Sequence, residues 1–150
     1  MSKTLIIAEK PSVAADIARS LGDFVKHQGY FENDQYVLSS AVGHLLELRA
    51  PEAYDVKRGK WTFTHLPVIP PHFDLAPIAK SEARLKVLMR LIKRKDVGQL
   101  INACDAGREG ELIFRYIVQA AKAKQPTIHA VTSSVRACCG SSSRSPTTTA

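Results

Sequence analysis

Cysteine is scarce: Cys104, Cys138 and Cys139 are the three in 150 residues. They show no Cys-x-x-Cys spacing for zinc and no even set for a disulfide framework, so the reading is a reduced, cytosolic chain. No apolar run reaches the roughly 20 residues of a membrane helix. The N-terminal run, Leu5 to Ala8, is stopped by Glu9 and Lys10, which is too short and wrongly flanked for a signal peptide. A membrane partner is therefore not expected. Acid is the scarcer charge, with 14 Asp and Glu against 21 Lys and Arg and a net charge of +7. Residues 127–150 hold Arg136 and Arg144 and no acid, so most of that excess lies in the rest of the chain, where it suits a polyanionic partner. The length fits one domain with its own core, and nothing sets an oligomeric state.

The densest chemistry lies in Cys104 to Phe114, Cys-Asp-Ala-Gly-Arg-Glu-Gly-Glu-Leu-Ile-Phe. An apolar run, Gln99 to Ala103, precedes it with the length of a buried strand. Leu112, Ile113, Tyr116, Ile117 and Ala120 follow at helical spacing, so the stretch is a strand-to-helix turn. Gly107 and Gly110 allow a tight bend. Asp105, Glu109 and Glu111 crowd three carboxylates together, and crowded carboxylates attract a hard divalent cation. Taken alone, the stretch reads more simply: Asp105 caps the helix, and the glutamates favour its first turn through the helix dipole.

A second acidic strand end shifts that balance. Lys3 to Ala8 reads as a strand buried on both faces, as at the centre of a parallel sheet. Pro11-Ser12 then opens a helix with Val13, Ala14, Ile17, Ala18 and Leu21 on one face, Ser12 as its cap and Gly22 as its stop. Glu9 thus occupies the same address as Asp105, and parallel neighbours would bring the two together. Residues 26–34 are polar with turn signals, and Tyr36 to Val42 is a further strand. His44 follows in Gly43-His44-Leu45-Leu46-Glu47, where a lone histidine is most simply hydrogen-bonded in place. Pro51 to Pro77 is proline-rich and irregular. There Tyr54 and Trp61 interleave with Lys57, Arg58 and Lys60 in a pattern that suits core packing or a grip on single-stranded nucleic acid. Ser81 to Lys95 is an amphipathic helix capped by Ser81, with a basic face read as solvated. Residues 133–150, rich in Ser, Thr, Ala and Arg, have no apolar periodicity, and the tail is expected to be disordered.

The chain resembles the N-terminal Toprim domain of the type IA DNA topoisomerases, within them the bacterial topoisomerase III group. The resemblance rests on Ile6-Ile7-Ala8-Glu9-Lys10-Pro11-Ser12, Gly43-His44-Leu45-Leu46-Glu47, Pro51-Glu52-Ala53-Tyr54-Asp55, Trp61 with Leu66-Pro67-Val68-Ile69-Pro70, and Asp105-Ala106-Gly107-Arg108-Glu109-Gly110-Glu111, in that order. It covers about Lys3 to Pro126. It implies a Toprim domain over 1–126, an α/β fold with a mostly parallel sheet and helices on both faces, and an unrelated tail over 127–150.

It implies further that Glu9, Asp105 and Glu109 hold Mg2+, with Gly107 where the family often has a second aspartate. Lys10 would stand near the scissile phosphate, making Glu9, Lys10, Asp105 and Glu109 the catalytic set, with His44 and Arg108 as DNA contacts. The family reaction is reversible transesterification of single-stranded DNA by a tyrosine in a downstream domain. None of Tyr30, Tyr36, Tyr54 or Tyr116 inherits that role, so the chain is expected to be incomplete and inactive alone. Two alternatives remain: a stand-alone nucleic-acid-binding module, and a nuclease- or primase-like Toprim protein.

Overall fold

A computed structural model describes residues 2–49 and 72–130. Its centre is β1 (Lys3–Ala8), flanked in parallel by β4 (Tyr36–Ser40) and β7 (Val97–Ala103). Leu5 to Ala8 are buried, as a strand covered on both faces requires. A hairpin of β2 (Val25–His27) and β3 (Tyr30–Glu32) adds antiparallel to β4, and β8 (Thr127–His129) adds parallel to β7. The order is β2-β3-β4-β1-β7-β8. A small separate sheet pairs β5 (Leu46–Leu48) with β6 (Leu75–Pro77).

Alternation along the strands divides the core into two layers. Ile6, Ala8, Leu38 and Ala103 face α1 (Pro11–Leu21) through Ala14, Ile17 and Ala18. Leu5, Ile7, Val37 and Leu100 face the other way, onto α2 (Glu82–Ile92) and α3 (Arg108–Ala121) through Leu88, Leu91, Phe114 and Ile117. The expected mostly parallel sheet with helices on both faces is the architecture found. Among the described residues, no helix is long and apolar enough to cross a membrane.

Several local expectations are corrected. Helix α1 starts at Pro11 after Lys10, so Ser12 lies inside its first turn; proline is favoured at that first position because its missing N–H would lack a partner there anyway. Gly107, not Asp105, precedes α3, and no side chain caps that helix. The polar stretch 26–34 holds most of a hairpin, its register set by the turn at Gln28-Gly29, where Gly29 has φ +91°. The sheet continues through Thr127–His129, three residues past the boundary expected at Pro126. The proline- and aromatic-rich stretch with Tyr54, Lys57, Arg58, Lys60 and Trp61, and the tail from 131, lie outside the described residues.

Helix α2 ends at Ile92, short of the expected Lys95, and the basic residues of α2 and the turn after it are only partly solvated. Lys86, Arg90, Lys93 and Lys95 are exposed, but Arg84 and Arg94 are half-buried. Arg94 makes a fork onto Glu32, NH1 to Oε2 at 2.9 Å and NH2 to Oε1 at 2.7 Å, while its Nε and NH2 donate to Asp96. Lys3 Nζ joins Glu32 at 2.6 Å. This cluster ties β1, β3 and the α2–β7 turn together at the start of the parallel strands. Paired guanidinium–carboxylate geometry of this kind favours the charged form strongly. Hydrogen bonding from Arg94, with Lys3 adding to it, pulls the Glu32 carboxyl down to about 2.

A carboxyl lowered from 4.5 stabilises the fold fully above that value, and the contribution is lost as pH falls from about 4.5 towards 2. Glu32→Gln should lower stability at pH 7 by about 1–2 kcal/mol once solvent screening is allowed for. It should also flatten the loss between pH 5 and 2. Thermal melts across that range check this; parallel wild-type and variant curves would refute it.

Candidate metal centre and phosphate site

The register of the three parallel strands builds the site. Ala8 pairs with Ser40 on one side and Ala103 on the other, so β1, β4 and β7 end level with one another. Their exits, at Glu9, at Val42 to His44 and at Asp105, therefore open on one edge, the edge where α/β sheets commonly bind ligands.

At this edge the Lys10 ammonium stands between two carboxylates, 3.6 Å from Glu9 Oε1 and 3.7 Å from Asp105 Oδ2. The Glu9 side chain is 14% exposed and Asp105 58%, so one acid is fixed by its surroundings and the other faces solvent. Glu109 is turned elsewhere, its Oε1 3.2 Å from His44 Nε2. Arg108, at the start of α3, is exposed. Glu9, Lys10 and Asp105 are thus brought together and Glu109 is paired with His44. Among the described residues, no three His, Cys, Asp or Glu side chains converge as a ready metal centre.

Glu111, the remaining acid of the crowded stretch, is held away from the edge. Its carboxylate accepts from Asn102 Nδ2 at 2.9 Å and Arg115 Nε at 2.6 Å, with His129 Nδ1 at 3.2 Å. Arg115 beside it holds its carboxyl below the usual range. Asn102 is buried and also accepts from the Cys104 N–H, so it locks the end of β7 to the helix that follows. This network escaped sequence reasoning. An asparagine inside an apolar strand was the one available signal, since a buried amide needs partners. The acid edge also acts on the thiol: burial, then the charges of Glu9, Asp105 and Glu111, push Cys104 up to about 12, which leaves it a neutral packing residue.

The two glycines have different tasks. A Cβ on Gly110 would collide with the Asp105 carbonyl, because the turn is folded down onto the first turn of α3. Gly107 has an extended φ of −163°, and a Cβ there would meet nothing within 4 Å.

The donor set accommodates a hard divalent cation. Glu9 and Asp105 already share one positive charge, carried by the Lys10 ammonium. Magnesium needs only one or two protein carboxylates, keeping water or phosphate oxygen for the rest.

Fold and edge together define an α/β domain with carboxylates and a lysine at adjacent parallel strand ends. A family model described as "Toprim domain" matches residues 4–135, and the chain belongs to that family. Metal binding and DNA binding fit it. The chain is 45% identical over 126 residues to DNA topoisomerase 3 of Bacillus cereus, covering 84% of this chain and 17% of that protein. The figures for DNA topoisomerase 3 of Bacillus subtilis are 44% identity with the same coverages. The chain thus spans about a sixth of the length of these curated relatives. Among solved structures it is similar to full-length topoisomerase I from Thermotoga maritima, with a TM-score of 0.49, 22% identity, and coverage of 79% of this chain and 16% of that one.

Gly110→Ala should destabilise the domain by about 1–3 kcal/mol, the usual cost of overpacking. Gly107→Ala should stay within about 0.5 kcal/mol of wild type. Urea denaturation of both variants separates them, and equal losses would contradict the turn described.

Proposed function

We propose that this domain is the metal-binding, phosphate-organising part of a DNA topoisomerase, with Mg2+ as its ion and single-stranded DNA as its substrate. The observation that carries the reading is the Lys10 ammonium shared by Glu9 and Asp105 at adjacent strand ends. The names of the relatives support a topoisomerase over a nuclease- or primase-like Toprim protein, and over a stand-alone binding module.

A bound Mg2+ would supply positive charge to phosphate oxygens as negative charge builds on them during phosphodiester transesterification. Glu9 and Asp105 would hold it. Glu109 would join them on leaving His44. Lys10, displaced from the carboxylates, is long enough to turn its ammonium to the same phosphate and neutralise it. His44, freed in the same exchange, and the exposed Arg108 would contact the DNA backbone. The attacking hydroxyl belongs to a tyrosine outside this site: Tyr36 and Tyr116 pack against the core layers, and Tyr30 lies in the β2–β3 hairpin.

Calorimetric titration with Mg2+ tests the assignment. Glu9→Gln and Asp105→Asn should each weaken binding by about tenfold, and Glu109→Gln by less. Lys10→Ala should strengthen it, because the competing ammonium is gone. Unchanged affinity in both Glu9→Gln and Asp105→Asn would remove the site.

A further inference from the structure

Near the end of β7, Asn102 is 6% exposed and shares with Leu100 the face of the sheet that α3 covers. A buried amide needs partners at both its ends, and the partners decide which way it points. Its Oδ1 accepts from the Cys104 backbone N–H at 3.0 Å, and its Nδ2 donates to Glu111 Oε2 at 2.9 Å. The orientation is fixed, because an N–H only donates and a carboxylate only accepts.

These two bonds enclose the turn that carries the acid edge. Cys104 is its entry, and Glu111, in the first turn of α3, is its exit. Asp105, Arg108 and Glu109 lie between. Within the turn the Gly107 N–H donates to the Asp105 carbonyl at 2.8 Å, and that carbonyl rests against Gly110. A displacement of the exit is therefore passed to Asp105 by direct contact. One side-chain amide holds both ends of the segment.

Glu111 is itself held from α3 and from β8. Arg115 Nε donates to its Oε1 at 2.6 Å, and His129 Nδ1 lies 3.2 Å from Oε2. Because the carboxylate accepts, Nδ1 is the ring nitrogen that carries the proton. Both oxygens of Glu111 already have donors, whereas Asp105 and Glu109 are mostly exposed.

We propose that Asn102 and Glu111 are positioning residues for the cation seat: the bond between them fixes the 104–111 turn so that Asp105 meets Glu9, and Glu111 acts through that bond without being a ligand. The inference rests on the metal-binding reading above. It gives the third acid of the crowded stretch a task in which its charge is dispensable, since a glutamine oxygen can also accept from Asn102 Nδ2.

That difference supplies the test. Glu111→Gln and Glu111→Ala remove the same charge, but only glutamine keeps an acceptor for Asn102. Position 111 is on a helix and partly exposed, so both variants should fold. In the full 15N-labelled chain without metal, the 1H–15N NOE of the 105–110 amides should drop in Glu111→Ala and match wild type in Glu111→Gln. Calorimetric titration with Mg2+ should show binding weakened about fivefold or more in Glu111→Ala, and within about twofold of wild type in Glu111→Gln. Equal losses in the two variants would make Glu111 a ligand or a distant charge. Unchanged affinity in both would show that the clamp does not govern the seat. Either result overturns the proposal. Glu9→Gln and Asp105→Asn, titrated alongside, separate the two levels. If they bind Mg2+ as wild type does, the metal reading fails and takes this inference with it; if they weaken binding while Glu111→Ala does not, the clamp alone is wrong.

Discussion

The level ending of three parallel strands is the constraint on which the chemistry depends. Ala8 lies opposite both Ser40 and Ala103, and the next residue of β1 is an acid. A slip of one residue in either pairing would turn every side chain of the slipped strand to the other face, exchanging the two core layers. Apolar burial on both faces forbids that slip, since Ile6 and Ala8 pack on α1 while Leu5 and Ile7 pack on α2 and α3. The hydrophobic core therefore fixes where the strands end, and through that where the carboxylates and Lys10 meet.

The two ends of the sheet are electrostatic opposites in design. Where β1 begins, Arg94, Lys3, Glu32 and Asp96 pair completely, with short, forked contacts that hold three elements together. Where β1 leaves the sheet, contacts are longer and side chains more exposed: Lys10 sits beyond 3.5 Å from both its acids, and Glu109 is 76% exposed. Closely paired charges resist exchange, whereas loosely held ones can trade partners with water, metal or phosphate at little cost. Tightly and loosely paired charges are thus separated along the length of one strand, and the Asn102–Glu111 bond adds a tight contact beside the loose edge.

Local patterns carried much of this into the sequence. The buried run at Lys3 to Ala8, the helical spacing after Asp105 and the acids at two strand ends are properties of short stretches, and each is found where the pattern places it. What was illegible depends on partners far apart in the chain. Arg84 lies in α2 and Arg94 in the turn after it, among cations that are otherwise solvated, and the partners that bury them, Ser40, Gly29 and Glu32, lie 44 to 62 positions away. The β2–β3 hairpin was hidden because β2 is an exposed edge strand and β3 is only half-buried, with too little apolar alternation to announce a strand. Gly110 and Gly107 look equivalent in sequence; only packing reveals that one is required by the Asp105 carbonyl and the other is not.

On the proposed reading, the adjacent strand ends form one seat for a cation, which the Lys10 ammonium fills here. Anomalous diffraction from crystals soaked in manganese addresses it directly. A peak is expected between the Glu9 and Asp105 carboxylates, with the Lys10 ammonium moved away from both. Manganese bound elsewhere, or Lys10 still bridging the two acids at saturating metal, would contradict it.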